Sequence, residues 1–148
     1  MMTTAPSKPE VLALNGEESA IESTIELPLG LLGFESIKTY VLIAHPEEAP
    51  FQWLQMSASP GHSFLVVPPA AVLPNYSPEL SEADVDFLGL DDPHDACVLN
   101  IVTLRPGGRS TVNLKGPIVL NRRTGVAKQV IPINAMRFPL QHPLPAVS

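Results

Sequence analysis

The segment from Asp91 to Asp95 reads DDPHD and gathers three carboxylates and one imidazole in five positions. It is the only local cluster of metal-ligand residue types in the chain. A hard cation or zinc needs several such donors converging at about 2 to 2.5 Å. No second histidine or carboxylate set recurs at partner spacing, so an acidic turn around Pro93 is the favoured reading. Cys97 is the sole cysteine, and with His45, His62, His94 or His142 it offers the elements of a thiol–imidazole pair. Yet Cys97 opens an apolar run, where cysteine behaves as a small buried hydrophobe, and no histidine sits in a nucleophile motif. Gly30 and Gly33 bracket two leucines, whereas a phosphate loop needs more glycines and a following helix. These residues therefore assign no catalytic group, no metal ligand and no cofactor site. A small metal-dependent or thiol hydrolase using DDPHD or Cys97 is kept as the alternative.

Binding chemistry is better represented. Phe51 and Trp53 could stack a base or anchor a partner, though a Trp in a dense strand is more often core. Glu79, Glu82, Asp84, Asp86, Asp91 and Asp92 form the largest one-sign grouping within a short span. Charge runs are usually solvated faces. Here Val85 and Leu90 interleave with the acids, a combination suited to docking on a basic partner. Those six acidic residues are the expected partner-binding surface.

The scaffold that must position them is bounded by composition. A chain of 148 residues suits one domain and can bury about two thirds of the surface its unfolded form exposes. The 45% hydrophobic content excludes wholesale disorder, while 17 prolines argue against long helices. A formal net charge of −6 argues against direct nucleic-acid binding, which needs a basic surface. A single cysteine excludes an intramolecular disulfide and a thiolate zinc cluster. No apolar run is long enough for a signal peptide or a membrane span, so a cytoplasmic, monomeric protein is expected.

Residues 1 to 22 read as a flexible arm, in which the run from Val11 to Leu14 could pair as a short edge strand. From Ser23 the pattern tightens, with Ile25, Leu27 and Leu29 alternating on one face. Strands are expected over 38–45, 50–56, 64–69, 97–105, 109–115, 118–121 and 126–131, punctuated by proline and glycine turns. One short helix is expected in SPELSEADVDFLGL, capped by Ser77 or Ser81 and ended by Gly89. Its expected apolar stripe is Leu80, Ala83, Phe87 and Leu88. In TVNLKGPIVLN, residues 111 to 121, Asn113, Lys115 and Asn121 fall at strand positions facing out of the core or at strand ends. That spacing is read as pleat, not chemistry. The fold class is all-β: a small closed or partly open antiparallel barrel-like domain of six to eight strands with one short helix.

Several stretches, in order, carry a family likeness: LGLLGFESIKTYVLI, PFQWLQM, FLVVPP followed by Tyr76, VLNIVTL, and above all TVNLKGPIVLN with Gln129 downstream. Together they resemble the flagellar assembly factor family, FliW, over roughly residues 25 to 138. The resemblance implies a barrel-like β domain over 23–138 followed by a proline-rich tail, 139–148. It implies no catalytic activity and two protein partners, flagellin and the translational repressor CsrA, a small RNA-binding dimer. In such a system flagellin occupies the factor until export, after which the released factor binds the repressor and flagellin synthesis resumes. The matched motifs look like fold determinants, so the resemblance carries over no partner-binding residue.

Overall fold

The computed structural model describes residues 10–12 and 20–144. Strand β1 (Glu10–Leu12) pairs with β2 (Ala20–Glu26), followed by β3 (Thr39–Ala44), β4 (Gln52–Met56) and β5 (Ser63–Val67). The helix α1 (Glu82–Leu88) precedes β6 (Ala96–Thr103), β7 (Thr111–Val112), β8 (Ile118–Asn121), β9 (Ala127–Gln129) and β10 (His142–Pro143). Successive strands from β1 to β6 form one antiparallel ladder. Beyond it, β6 pairs with β7 through its last residues and with β8 through its first, and β9 extends β8.

The sheet curls but does not close. Among the described residues β2 meets the start of β9 at a single parallel bridge, Glu26 to Val126, where the Glu26 amide donates to the Gly125 carbonyl at 2.9 Å. Of the two barrel forms expected from the sequence, the partly open one is observed. Among the described residues ten strands are observed against the expected six to eight; β10, two residues long within the proline-rich tail, has no hydrophobic run to announce it.

Period-two patterning explains the interior. Ile25, Tyr40, Leu54, Met56, Val66, Leu99 and Ile118 point inward from neighbouring strands and form the main core. Each fully buried aliphatic side chain there contributes about 1.5 to 3 kcal/mol through the water it no longer meets. Leu27 joins the core, but Leu29 does not. The strand stops at Glu26, and the Gly30 amide turns back onto the Leu27 carbonyl, leaving Leu29 exposed. Trp53 also departs from expectation. Leu54 and Met56 take the core face of β4, so Trp53 stands half-buried on the other, its indole N–H donating to Glu48 Oε1 at 3.3 Å.

Strand pairing reaches both ends of the described chain. Residues 20 to 22, assigned from the sequence to the arm, belong to β2, and Val11 pairs with Ile21. Strand β1 overlaps the start of the run from Val11 to Leu14, and the remainder of the expected arm, residues 1–9 and 13–19, lies outside the described residues. At the other end His142 pairs with Val112, and the Leu144 amide donates to the Ser110 carbonyl at 2.9 Å. The tail is thus docked as far as Leu144, and residues 145–148 lie outside the described ones.

The segment TVNLKGPIVLN is a register device. On β6, stepping three residues from Val102 to Leu99 moves the partner six residues, from Val112 to Ile118. Three extra residues must therefore loop out, and their amides need acceptors. Asn113 Oδ1 accepts from the amides of Lys115 at 2.9 Å and Gly116 at 3.0 Å. Gln129 Nε2 then donates to the Gly116 carbonyl at 3.0 Å, so a side chain at position 116 would press on it. These polar residues consequently do not face out as the pleat suggests. Asn113 is half-buried, Asn121 is fully buried, and Lys115 reaches the Ala135 carbonyl.

Candidate functional site

The acidic grouping centres on α1. Ser81 caps the helix, its Oγ accepting from the Asp84 amide at 3.1 Å, and Gly89 ends it at φ 63°, where a side chain would be strained. Carboxylates in the first turn also suit the positive end of the helix dipole. The helix is phased differently from the expected stripe. Leu88 is buried, but Ala83 and Phe87 face outward, and the other inward residue is Asp84.

Asp84 is 6% exposed, and its carboxylate receives the Lys128 ammonium from β9. The same ammonium lies 5.4 Å from the centre of the Phe87 ring, a cation–π arrangement that keeps Phe87 at the surface. Asp84 is therefore a structural tether between α1 and β9, and offers no free charge to a partner. Glu79, Glu82, Asp86, Asp91 and Asp92 are exposed. The first three lie on α1 or just before it, and the last two on the turn that follows. Asn121 fixes this arrangement from beneath. Its Nδ2 donates to the Leu88 carbonyl at 2.8 Å and the Gly89 carbonyl at 3.3 Å, while its Oδ1 accepts from the Arg123 amide at 2.9 Å.

The DDPHD segment folds as a capped turn. Asp92 Oδ1 accepts from the His94 amide at 3.0 Å and meets the imidazole Nδ1 at 3.0 Å. The amide bond first, then the ring contact, hold the Asp92 carboxyl below its ordinary pKa. Among the described residues no group of three or more His, Cys, Asp or Glu is placed to hold one metal ion. Cys97 lies in β6 opposite Leu120, packed against the main core. Burial pushes its thiol pKa up, only partly offset by the Arg122 guanidinium beside it. A thiol held neutral is a poor nucleophile.

A second surface gave no signal in the sequence beyond turn glycines. Leu29, Leu32 and Phe34 project from the loop between β2 and β3 and are exposed. Gln129 Oε1 accepts from the Leu32 amide at 2.9 Å, which ties that loop to β9. Past β9 the chain carries exposed Ile131 and Ile133, and the Ile133 amide bonds the Glu79 carbonyl at 2.8 Å. An apolar edge thus runs from the loop to the border of the acidic face. Exposed apolar residues brought together in this way offer a surface that a partner could cover.

Among the described residues no helix is long and apolar enough to cross a membrane. Comparison with known proteins matches residues 11–144 to the model of the FliW protein family. The flagellar assembly factor FliW of Leptospira biflexa is 39% identical over 110 residues, covering 72% of this chain and 71% of that one. The Bacillus subtilis protein of the same name is 34% identical over 124 residues, 83% of this chain and 86% of its own. A crystal structure of the flagellar assembly factor FliW superposes with a TM-score of 0.73 at 28% identity, covering 81% of this chain and 84% of that chain. With its open all-β sheet, its single short helix and a match over almost its whole length, the chain belongs to the FliW family of flagellar assembly factors.

Proposed function

We propose that this protein acts without catalysis, in the cytoplasm, by binding flagellin and a CsrA-type translational repressor in turn. The observation that carries the reading is the pairing of an exposed acidic face on α1 with an adjoining apolar edge, in a member of a flagellar assembly family. A repressor that binds RNA must present a basic surface, and Glu79, Glu82, Asp86, Asp91 and Asp92 complement one. An anionic protein seated beside that surface repels phosphates and weakens RNA binding without touching RNA itself. An unpolymerised filament subunit exposes apolar surface that assembly will bury, and the edge from Leu32 to Ile133 suits it. Because the two surfaces share the Glu79–Ile133 contact, bulky partners collide there. Their competition is set by relative affinities and free concentrations.

The test is capture of each purified partner on immobilised protein, at low and high salt. Retention of both is expected, with the repressor released between about 50 and 500 mM salt as screening shortens from over 10 Å to under 5 Å. The double change Glu82→Lys, Asp86→Lys is expected to lose the repressor at least tenfold while sparing flagellin. Failure to retain either partner at low salt would overturn the proposal.

A further inference from the structure

The hairpin joining β6 to β7 carries an unbalanced pair of cations. Arg105 and Arg109 line one open concavity of about 260 Å³ with Pro106 between them, and among the described residues neither guanidinium meets a hydrogen-bond or ion-pair partner. Four other cations are engaged within the fold: Lys38 on the Glu35 carbonyl, Lys115 on the Ala135 carbonyl, Lys128 on Asp84 and Arg123 on Asp95. In a protein of net charge −6, two arginines side by side on one small tip, with no carboxylate against them among the described residues, form a local concentration of positive charge. The tip is well defined. Gly107 and Gly108 both adopt positive φ, and Ser110 Oγ accepts from the Arg105 amide at 3.1 Å, closing the loop beneath the two side chains. Beside them Leu104 is 63% exposed.

We infer that this tip is a docking site for an acidic segment of a partner protein, with Arg105 and Arg109 gripping carboxylates and Leu104 receiving an apolar neighbour. Guanidinium forks match carboxylate geometry and are less strongly hydrated than ammonium groups, so they suit contacts that shed water. A nucleic acid also carries oxyanions, but its phosphates continue in both directions over an acidic body, where each further one is repelled. A short peptide segment places its charge on the tip alone, and Leu104 and Pro106 give it an apolar contact that a phosphate chain would not use. The tip stands at the far end of β6 from the acidic turn, about 25 Å away along eight strand residues. The molecule thus presents opposite charges at the two ends of one strand, and this site is independent of the function proposed above.

The test uses the full chain and a fluorescein-labelled hexapeptide, Glu-Leu-Glu-Glu-Leu-Glu, followed by fluorescence anisotropy at low salt. Binding is expected to weaken at least tenfold for the same peptide with glutamines in place of its glutamates. A comparable loss is expected for the Arg105→Gln, Arg109→Gln double variant. Arg137→Gln, which removes an exposed arginine elsewhere, is expected to bind within twofold of the parent. Among the described residues these exposed side chains carry no hydrogen bond or ion pair, so the variants are expected to melt within 2 °C of the parent. The inference is overturned if the parent fails to bind the acidic peptide, or if the double variant binds it within twofold. It is equally overturned if labelled oligouridylate binds the tip and depends on the two arginines more strongly than the peptide does.

Discussion

Asn121→Ala should cost more than any other single-side-chain truncation on the surface of α1, although Asn121 lies on β8 and not on the helix. Its side chain is 0% exposed and makes three hydrogen bonds, two as donor to the carbonyls of Leu88 and Gly89 and one as acceptor from the Arg123 amide. Truncation leaves the Leu88 carbonyl, in the last turn of α1, and the Arg123 amide without partners. A buried polar group deprived of its partner costs about 1 to 3 kcal/mol, and the 3.3 Å bond adds less, so the sum is about 3 kcal/mol. For a domain of this size that corresponds to a fall in melting temperature of about 6 to 12 °C. Trp53 is the sole tryptophan, so urea titration followed by its fluorescence reports the same loss as a lower midpoint. Asn121→Asp sharpens the argument. It keeps the acceptor for the Arg123 amide but turns a carboxylate onto two carbonyls, so the new carboxyl has a raised pKa in the folded state. A raised folded pKa makes the acid form the stabilising one. The variant should therefore approach the parent's stability at low pH and lose ground as pH rises towards neutrality. A melting temperature within 2 °C of the parent for Asn121→Ala, or an Asn121→Asp variant as stable as the parent at pH 7, would refute the clip between α1 and β8.

Gly30→Ala and Gly33→Ala separate backbone strain from steric exclusion. Both have positive φ, but a Cβ at Gly30 would lie 2.6 Å from backbone atoms of Phe34 and Glu35, whereas Gly33 faces open space. Gly33→Ala is expected to cost about 1 kcal/mol and Gly30→Ala at least twice that, read as urea midpoints; equal losses would contradict the close approach. Asn113→Ala removes the acceptor for the Lys115 and Gly116 amides and should cost about 2 kcal/mol, with hydrogen exchange accelerated at those two amides first. Asp84→Ala leaves Lys128 without its carboxylate and should destabilise by about 2 kcal/mol; a neutral outcome would deny the tether between α1 and β9. The Cys97 pKa is raised in the fold, so the neutral thiol is favoured there. That stabilisation is complete below the ordinary thiol pKa and is lost as pH climbs through the raised value. Iodoacetamide at pH 8 should accordingly label the native chain at least tenfold more slowly than the urea-unfolded chain.

Which features were legible in the sequence follows from the range of the interactions involved. The β-rich class, the strands from Lys38 onward, the Ser81 cap and the Gly89 stop are local, and local patterns announce them. The phase of α1 is not local. Ala83 and Phe87 fit an inward stripe by type, but Lys128, 44 residues after Asp84, pulls the carboxylate in and holds Phe87 out beneath its ammonium. A short helix of seven residues has too few apolar positions to overrule one buried ion pair. The same logic governs the asparagines. Period two in TVNLKGPIVLN puts Asn113 on an outer face only if the ladder is unbroken, and the three-residue insertion breaks it. Without that insertion Asn113 would have no turn amides to receive. Without Leu88 and Gly89 arriving from another element, Asn121 would have no reason to be buried. The motif that carries the family likeness most strongly therefore spends its polar side chains inside the fold. In the readings proposed above, surface recognition falls to residues with weak sequence signals: an exposed carboxylate, an arginine on a hairpin tip, a leucine after a turn glycine. Substitutions in the motif should consequently change stability first and partner binding only in proportion to unfolding. Substitutions at Glu82, Asp86 or Arg105 should do the reverse, and a chain that lost partner binding through Asn113→Ala while still folded would break that division.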